Sequence, residues 1–109
     1  MANTFKLKTK ANVGVTTVVI YTAPAATTTV VIGITMSNTS GSGVNVGVGI
    51  TRAGTTEDVK LLKNAPIPQG SSLEFMAGNK IVLEATDTVT VDSDTNNSID
   101  AALTIMEIT

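Results

Sequence analysis

Residues 30–52 read VVIGITMSN (Val30–Asn38), TSGSG (Thr39–Gly43) and VNVGVGITR (Val44–Arg52). In the first run Val30, Ile32, Ile34 and Met36 share one parity, and Val31, Gly33, Thr35 and Ser37 the other. In the second, Val44, Val46, Val48 and Ile50 alternate with Asn45, Gly47, Gly49 and Thr51. A period of two sends successive side chains to opposite faces of a pleated sheet. Each run therefore reads as a half-buried strand with one apolar face. Asn38, Ser40, Gly41, Ser42 and Gly43 carry turn chemistry between them, and the expectation is a hairpin in an antiparallel fold.

Working outward, the same pattern recurs in shorter pieces. TVVIYT (Thr17–Thr22) is a compact β-run that Pro24 ends, since proline cannot donate to a ladder. EDVKLLK (Glu57–Lys63) reads as a strand between turns, with mixed parity at Leu61 and Leu62. NAPIPQG (Asn64–Gly70) carries two prolines and reads as an extended, ordered loop. SSLEFM (Ser71–Met76), KIVLE (Lys80–Glu84) and TDTVTV (Thr86–Val91) are further strands, with a tight turn at Ala77-Gly78-Asn79. In Ser98–Ile108 the apolar parity of Ile99, Ala101, Leu103 and Ile105 switches to Met106 and Ile108, which suggests a bulge near Ile105–Met106. The fold class expected is all-β: an antiparallel β-sandwich, jelly-roll-like, of about eight short strands. Residues 1–16 read as an N-terminal arm and 17–109 as one domain.

Composition narrows the chemistry. The chain has 109 residues with no cysteine and no histidine. That removes disulfides, thiolate nucleophiles, the commonest metal ligand and any Ser-His-Asp triad. MANTFKLKTK has positive charge but no apolar segment after it, so it does not read as a secretory signal. No stretch approaches the ~18 consecutive apolar residues of a spanning helix. Net charge is −2, and only 15% of residues are charged. Uncharged strand faces of this kind are an aggregation liability unless they meet neighbours.

Candidate contact residues follow from the pattern. In the arm, Phe5 and Leu7 alternate with Lys6, Lys8 and Lys10, giving a strand-like piece with one basic face. It reads either as a segment reaching a neighbouring subunit or acidic surface, or as a solvated first strand of the domain. Three lysines without stacking aromatics do not make a nucleic-acid site. Gly47 and Gly49 fall on the polar parity of their strand, where glycine permits close approach of another backbone or marks a bulge. Asp92, Asp94, Asn96, Ser98 and Asp100 place oxygens at alternate positions, like the start of a calcium loop. The required glycine is Asn97 and the closing glutamate position holds Leu103, so a polar loop is the expectation. Glu74, Glu84 and Asp87 could be imagined as an acid–base pair, but there are no tryptophan platforms for a sugar. No catalytic residue, metal or cofactor is expected.

Four pieces taken together carry a family resemblance. They are YTAPAATTTVVIGI (Tyr21–Ile34), MSNTSGSGVNVGV (Met36–Val48), APIPQGSSLEF (Ala65–Phe75) and GNKIVLEATDTVTV (Gly78–Val91). With the terminal MEIT they resemble a family of small virion proteins of tailed bacteriophages, including phages of cyanobacteria. Thr86 stands where a glycine is common in that family's L-E-A-G-D patch. The resemblance implies a β-sandwich present in many copies in the virion, assembled in the host cytoplasm. It implies capsid decoration (cement) that stabilises the head by bridging major capsid subunits, as a homotrimer. The alternative is a neck, tail or fibre component, structural or host-binding. Neither reading implies enzyme activity, nucleic-acid binding or membrane insertion. A cellular carbohydrate- or calcium-binding β-domain is the remaining rival.

Overall fold

The computed structural model describes residues 3–75 and 80–109. Among these are nine strands and no helix: β1 Asn3–Val13, β2 Val18–Thr22, β3 Thr28–Asn38, β4 Val44–Arg52, β5 Glu57–Ile67, β6 Ser72–Phe75, β7 Ile81–Leu83, β8 Thr88–Ser93 and β9 Ile99–Ile108. One sheet runs β1-β9-β3-β6, with β7 also on β3, and the other runs β2-β8-β4-β5. All pairings are antiparallel. β6 and β7 lie end to end along the same edge of β3, opposite Ile34–Ser37 and Thr29–Val31 respectively. Counting them as one interrupted strand gives eight, in the order of a jelly roll built from two Greek keys. The turn expected at residues 77–79 lies outside the described residues.

Residues 30–52 form parts of two strands, but not a hairpin. β3 belongs to one sheet and β4 to the other, and residues 39–43 bridge the layers. Period two identifies which face of each strand is apolar, not which strand it pairs with. Two such faces can be buried side by side in one sheet or against each other across a sandwich. Asn38 holds the crossing. Its Nδ2 donates to the carbonyls of Ser42 (2.8 Å) and Ile67 (3.0 Å), and its Oδ1 accepts from Ser40 N (2.9 Å) and Oγ (2.7 Å). The in-sheet hairpin is β4–β5, with Arg52 opposite Glu57.

The core lies between the layers. Ile34, Met36, Leu83, Ile99, Leu103 and Ile105 from the first sheet face Val46, Val48, Ile50, Ile67, Val89 and Val91 from the second. Each such aliphatic side chain, fully buried, contributes roughly 1.5–3 kcal/mol. The expected bulge near Ile105–Met106 is absent. β9 alternates from Ile99 to Ile108 without a break, and Glu107, not an apolar residue, occupies the inward parity. The register shift sits across from it in β3, between Val31 and Gly33. Ile32 is the extra residue, so the buried set is Thr29 and Val31 before the bulge and Ile34, Met36 and Asn38 after it.

β5 also corrects an expectation. The strand continues through Asn64, Ala65 and Pro66 to Ile67, where an ordered loop was anticipated. β5 is an edge strand, and an edge tolerates a proline that a central strand would reject. Register shifts on either side of Val48 account for the mixed parity of Leu61 and Leu62, both half-buried. Thr86, at the position where the resembled family favours glycine, has φ of 68°. That is left-handed backbone, costly for a β-branched residue.

Candidate interaction surface

β1 brings the arm residues into the body of the fold. It is the edge strand of the first sheet, paired with β9 from Asn3↔Ile108 to Lys10↔Ala101 without interruption. Residues opposite one another across an antiparallel pair share a face. Lys6, Lys8 and Lys10 stand opposite Ile105, Leu103 and Ala101, which are core residues, so the lysines take the inward parity. Phe5 and Leu7 take the outward one, and are 69% and 64% exposed. β1 lies at the rim of the sandwich, where inward-pointing side chains still reach solvent.

Phe5 begins an apolar row across the outer face. Phe5 is opposite Met106, Met106 opposite Val30, and Val30 opposite Val82. Phe5 and Val82 are exposed, and Met106 and Val30 half-buried. The next row is Leu7, Thr104 and Gly33. Nothing lies within 4 Å of a Cβ built on Gly33, so the row ends in an open notch.

The inward side of β1 is tied down by charge. Lys6 Nζ lies 2.9 Å from Glu107 Oε1. Tyr21 on β2 donates its hydroxyl to Glu107 Oε2 at 2.6 Å. Since the phenol has one hydrogen, the hydroxyl of Thr29, 2.8 Å away, donates to Tyr21. The Tyr21 hydroxyl and the Lys6 ammonium hold the Glu107 carboxyl below its ordinary pKa, against burial, which pushes it up. Burial and the neighbouring carboxylate push the Tyr21 hydroxyl up to about 12. The cluster joins β1, β9 and β3 of one sheet to β2 of the other. The sequence reading missed it; the available signal was an acid on the inward parity of β9, which needs buried donors.

Gly47 and Gly49 are buried beneath side chains of their own sheet. A Cβ at Gly47 would strike Asp92 Oδ1 and come within 3.3 Å of the Leu62 carbonyl. One at Gly49 would meet Thr90 Oγ1 at 3.1 Å and the Val59 carbonyl at 3.2 Å. The glycines thus admit the neighbouring strands' side chains over the sheet.

The oxygen-rich loop spends its acceptors on backbone amides and on the Thr17 hydroxyl. Asp94 Oδ1 accepts from Asn45 N, Asn96 Oδ1 from Val15 N, and Asp100 Oδ1 from Asn12 N, while Asp92 Oδ2 accepts from Thr17 Oγ1. These three carboxylates and one amide serve donors in residues 12–17 and at Asn45, and among the described residues no three acidic groups converge as a metal site would require. At the other end Asp87, 2% exposed, accepts from Ala53 N, Glu84 N and Arg52 Nε at 3.0–3.1 Å. Arg52 also reaches Glu84 at 3.3 Å. Glu84 and Asp87 therefore share one guanidinium. Two hollows mark the outer faces: about 300 Å³ between Thr9, Thr35, Ser37 and Ala102, and about 240 Å³ between Gly49, Thr51, Val59 and Lys60.

No protein-family model and no curated protein matches the chain. Solved structures do. A chain from the disulfide-linked pili of Bacillus endospore appendages aligns with a TM-score of 0.57 at 16% identity, over 99% of this chain and 87% of that one. The VP2 subviral particle of infectious bursal disease virus aligns with 0.59 at 11% identity, over 96% of this chain but 32% of the viral protein. A chain of the cyanophage Pam1 capsid asymmetric unit aligns with 0.54 at 12% identity, over 96% of this chain and 83% of that one. At such identities the likeness is one of fold: an antiparallel jelly-roll sandwich that capsid proteins also use.

Proposed function

We propose that the chain is a virion structural protein that decorates a phage capsid, bridging major capsid subunits as a homotrimer. The observation that carries this is a jelly roll matching, over most of both chains, a component of a cyanophage capsid. The motif resemblance to small phage virion proteins points the same way. The proposed contact residues are Phe5, Lys6, Leu7, Lys8 and Lys10, with Gly47 and Gly49 contributing through the side chains that cover them. The mechanism is mechanical. A standard interface buries about 800 Å² per partner, and docking costs several kcal/mol of lost freedom. A trimer that engages several subunits at once recovers that cost through avidity. Nothing in this mechanism makes or breaks a covalent bond.

Adding the purified protein to capsids assembled without it, then heating both, tests the proposal. Decorated capsids disrupt at a higher temperature; equal temperatures defeat it. A second reading, a fibre or tail component, draws on the alignment with an appendage subunit over most of both chains. Copy number per particle separates the two: hundreds mean shell, and tens or fewer mean neck, tail or fibre.

A further inference from the structure

We propose that β1 is a docking edge for an extended partner segment, one that adds a strand alongside it and alternates acidic with apolar side chains. This deepens the contact role proposed above and names the chemistry of what the edge takes.

The four sheet edges are not equivalent. β2 has five residues, a register shift between Val19 and Tyr21, and Pro24 just beyond it. β5 carries two register shifts, a left-handed Asn64 (φ 55°) and Pro66. β6 and β7 have four and three residues. Bulges, prolines, shortness and inward-pointing lysines all blunt an edge. β1 has only the last of these, at Lys6, Lys8 and Lys10, and from Asn3 to Lys10 its register with β9 is continuous. On its other side no strand pairs with it among the described residues. Its free backbone is a template for strand addition.

The side chains specify what can add. A second β1 cannot. A two-fold antiparallel pairing preserves the faces, so every register that overlaps most of the strand sets at least one lysine opposite a lysine. β5 of another copy is a poor match, because its register shifts break the ladder, its acids Glu57 and Asp58 fall on opposite parities, and Lys60 and Lys63 follow them. Among the described residues Lys6 has Glu107, whereas neither Lys8 nor Lys10 has a carboxylate within 4 Å. Phe5 and Leu7 present exposed apolar surface on the opposite face. A strand with Asp or Glu on one parity and aliphatic residues on the other answers both faces at once. The charges that forbid self-pairing thereby select the partner.

The test uses the full chain and three labelled synthetic peptides: one alternating Glu and Val, one of the same composition with its Glu and Val in separate blocks, and one alternating but N-methylated along one edge. Fluorescence anisotropy reads binding, and amide hydrogen exchange reads protection at residues 3–10. The alternating peptide binds and protects these amides; the other two bind at least tenfold more weakly. Lys8→Ala/Lys10→Ala, which removes no ion pair seen here, weakens the alternating peptide at least tenfold at low salt and leaves the unfolding temperature in place. Equal binding of the block peptide, no added protection at residues 3–10, or an unchanged affinity for the double variant overturns the proposal. So does equal protection of these amides by oligothymidylate, which would reduce the edge to a bare cationic patch. A chain that takes the peptide yet leaves capsids no more heat-resistant keeps this inference and loses the decoration reading. The reverse outcome keeps decoration and loses the docking edge.

Discussion

Tyr21→Phe removes a single oxygen from between the two sheets, and the contacts of that oxygen set the cost. The hydroxyl donates to the Glu107 carboxylate at 2.6 Å and accepts from Thr29, which is fully buried. A hydrogen bond to a charged group contributes about 1.5–3 kcal/mol, and the orphaned Thr29 hydroxyl adds to the loss. Glu107 keeps Lys6, so its charge is not stranded. The expected destabilisation is about 2–4 kcal/mol, a fall in Tm on the order of 10 °C for a domain of this size. Urea unfolding of both proteins measures it. The pH dependence then identifies the cause. Glu107 has a depressed pKa when folded, so its contribution is present above the unfolded carboxyl value and is lost as pH falls through the folded one. Tyr21 is the largest cause of that depression, so in Tyr21→Phe the acid limb moves to higher pH. In Glu107→Gln the limb weakens and Tyr21→Phe adds little further. Lys6→Ala costs less than about 1 kcal/mol, because the lysine side chain is 42% exposed. A Tyr21→Phe protein that loses under about 0.5 kcal/mol and keeps its acid limb would refute the buried cluster as a tie between the layers.

Four further outcomes follow from other positions. Tyr21 is the chain's one tyrosine, so tyrosinate absorbance should appear only near pH 12 or on unfolding; its contribution is full below 10 and lost between 10 and about 12, at most roughly 2.7 kcal/mol. Gly47→Ala should cost about 1–3 kcal/mol in chemical denaturation, since the new methyl meets Asp92 and the Leu62 carbonyl, while Gly33→Ala, in open space, stays within about 0.5 kcal/mol of the parent. Asn38→Ala should lower stability by about 2–4 kcal/mol, read by urea unfolding, because two carbonyls and the Ser40 amide lose their partner together. Thr86→Gly should raise Tm, with a gain of about 0.5–1 kcal/mol, because glycine takes a φ of 68° without steric cost.

How far the sequence could be read depends on the distance over which each feature is decided. β4 was legible to the residue, because alternation over nine positions is a local property. The alternation of Phe5 and Leu7 with three lysines was legible for the same reason, and the structure carries it as β1. Pairing was not. The hairpin expected from residues 30–52 and the bulge expected at Ile105–Met106 both assigned a local cause to something set across the sandwich. Met106 and Ile108 are not a switched core; they continue the outer face, and Glu107 between them faces inward. Its partner Tyr21 lies 86 residues away in sequence, and no window of alternation reports a contact at that separation. Thr86 is the instructive middle case. Its departure from the glycine of the resembled motif was visible in one residue, and its φ of 68° is one that glycine adopts without strain.

The two ends of the sandwich show why so lightly charged a chain can hold its layers together. Chain connections pass repeatedly from one sheet to the other, and each crossing leaves backbone groups that no ladder pairs. At one end Asn38 collects them, taking an amide N–H and giving to two carbonyls. At the other Asp87 does so, accepting from the amides of Ala53 and Glu84 while Arg52 neutralises it. Each is at most 5% exposed, so neither can exchange its partners for water. Polar residues are thus concentrated where the layers are joined, and aliphatic residues fill the space between. The strands' outer faces carry mainly threonine and glycine, with Leu7, Val19 and the Phe5–Met106–Val30–Val82 row. Such faces contribute little to the fold by themselves. Their composition makes physical sense if another surface covers them, and β1, among the described residues the one long edge without bulge or proline over its first eight residues, is where that surface would begin.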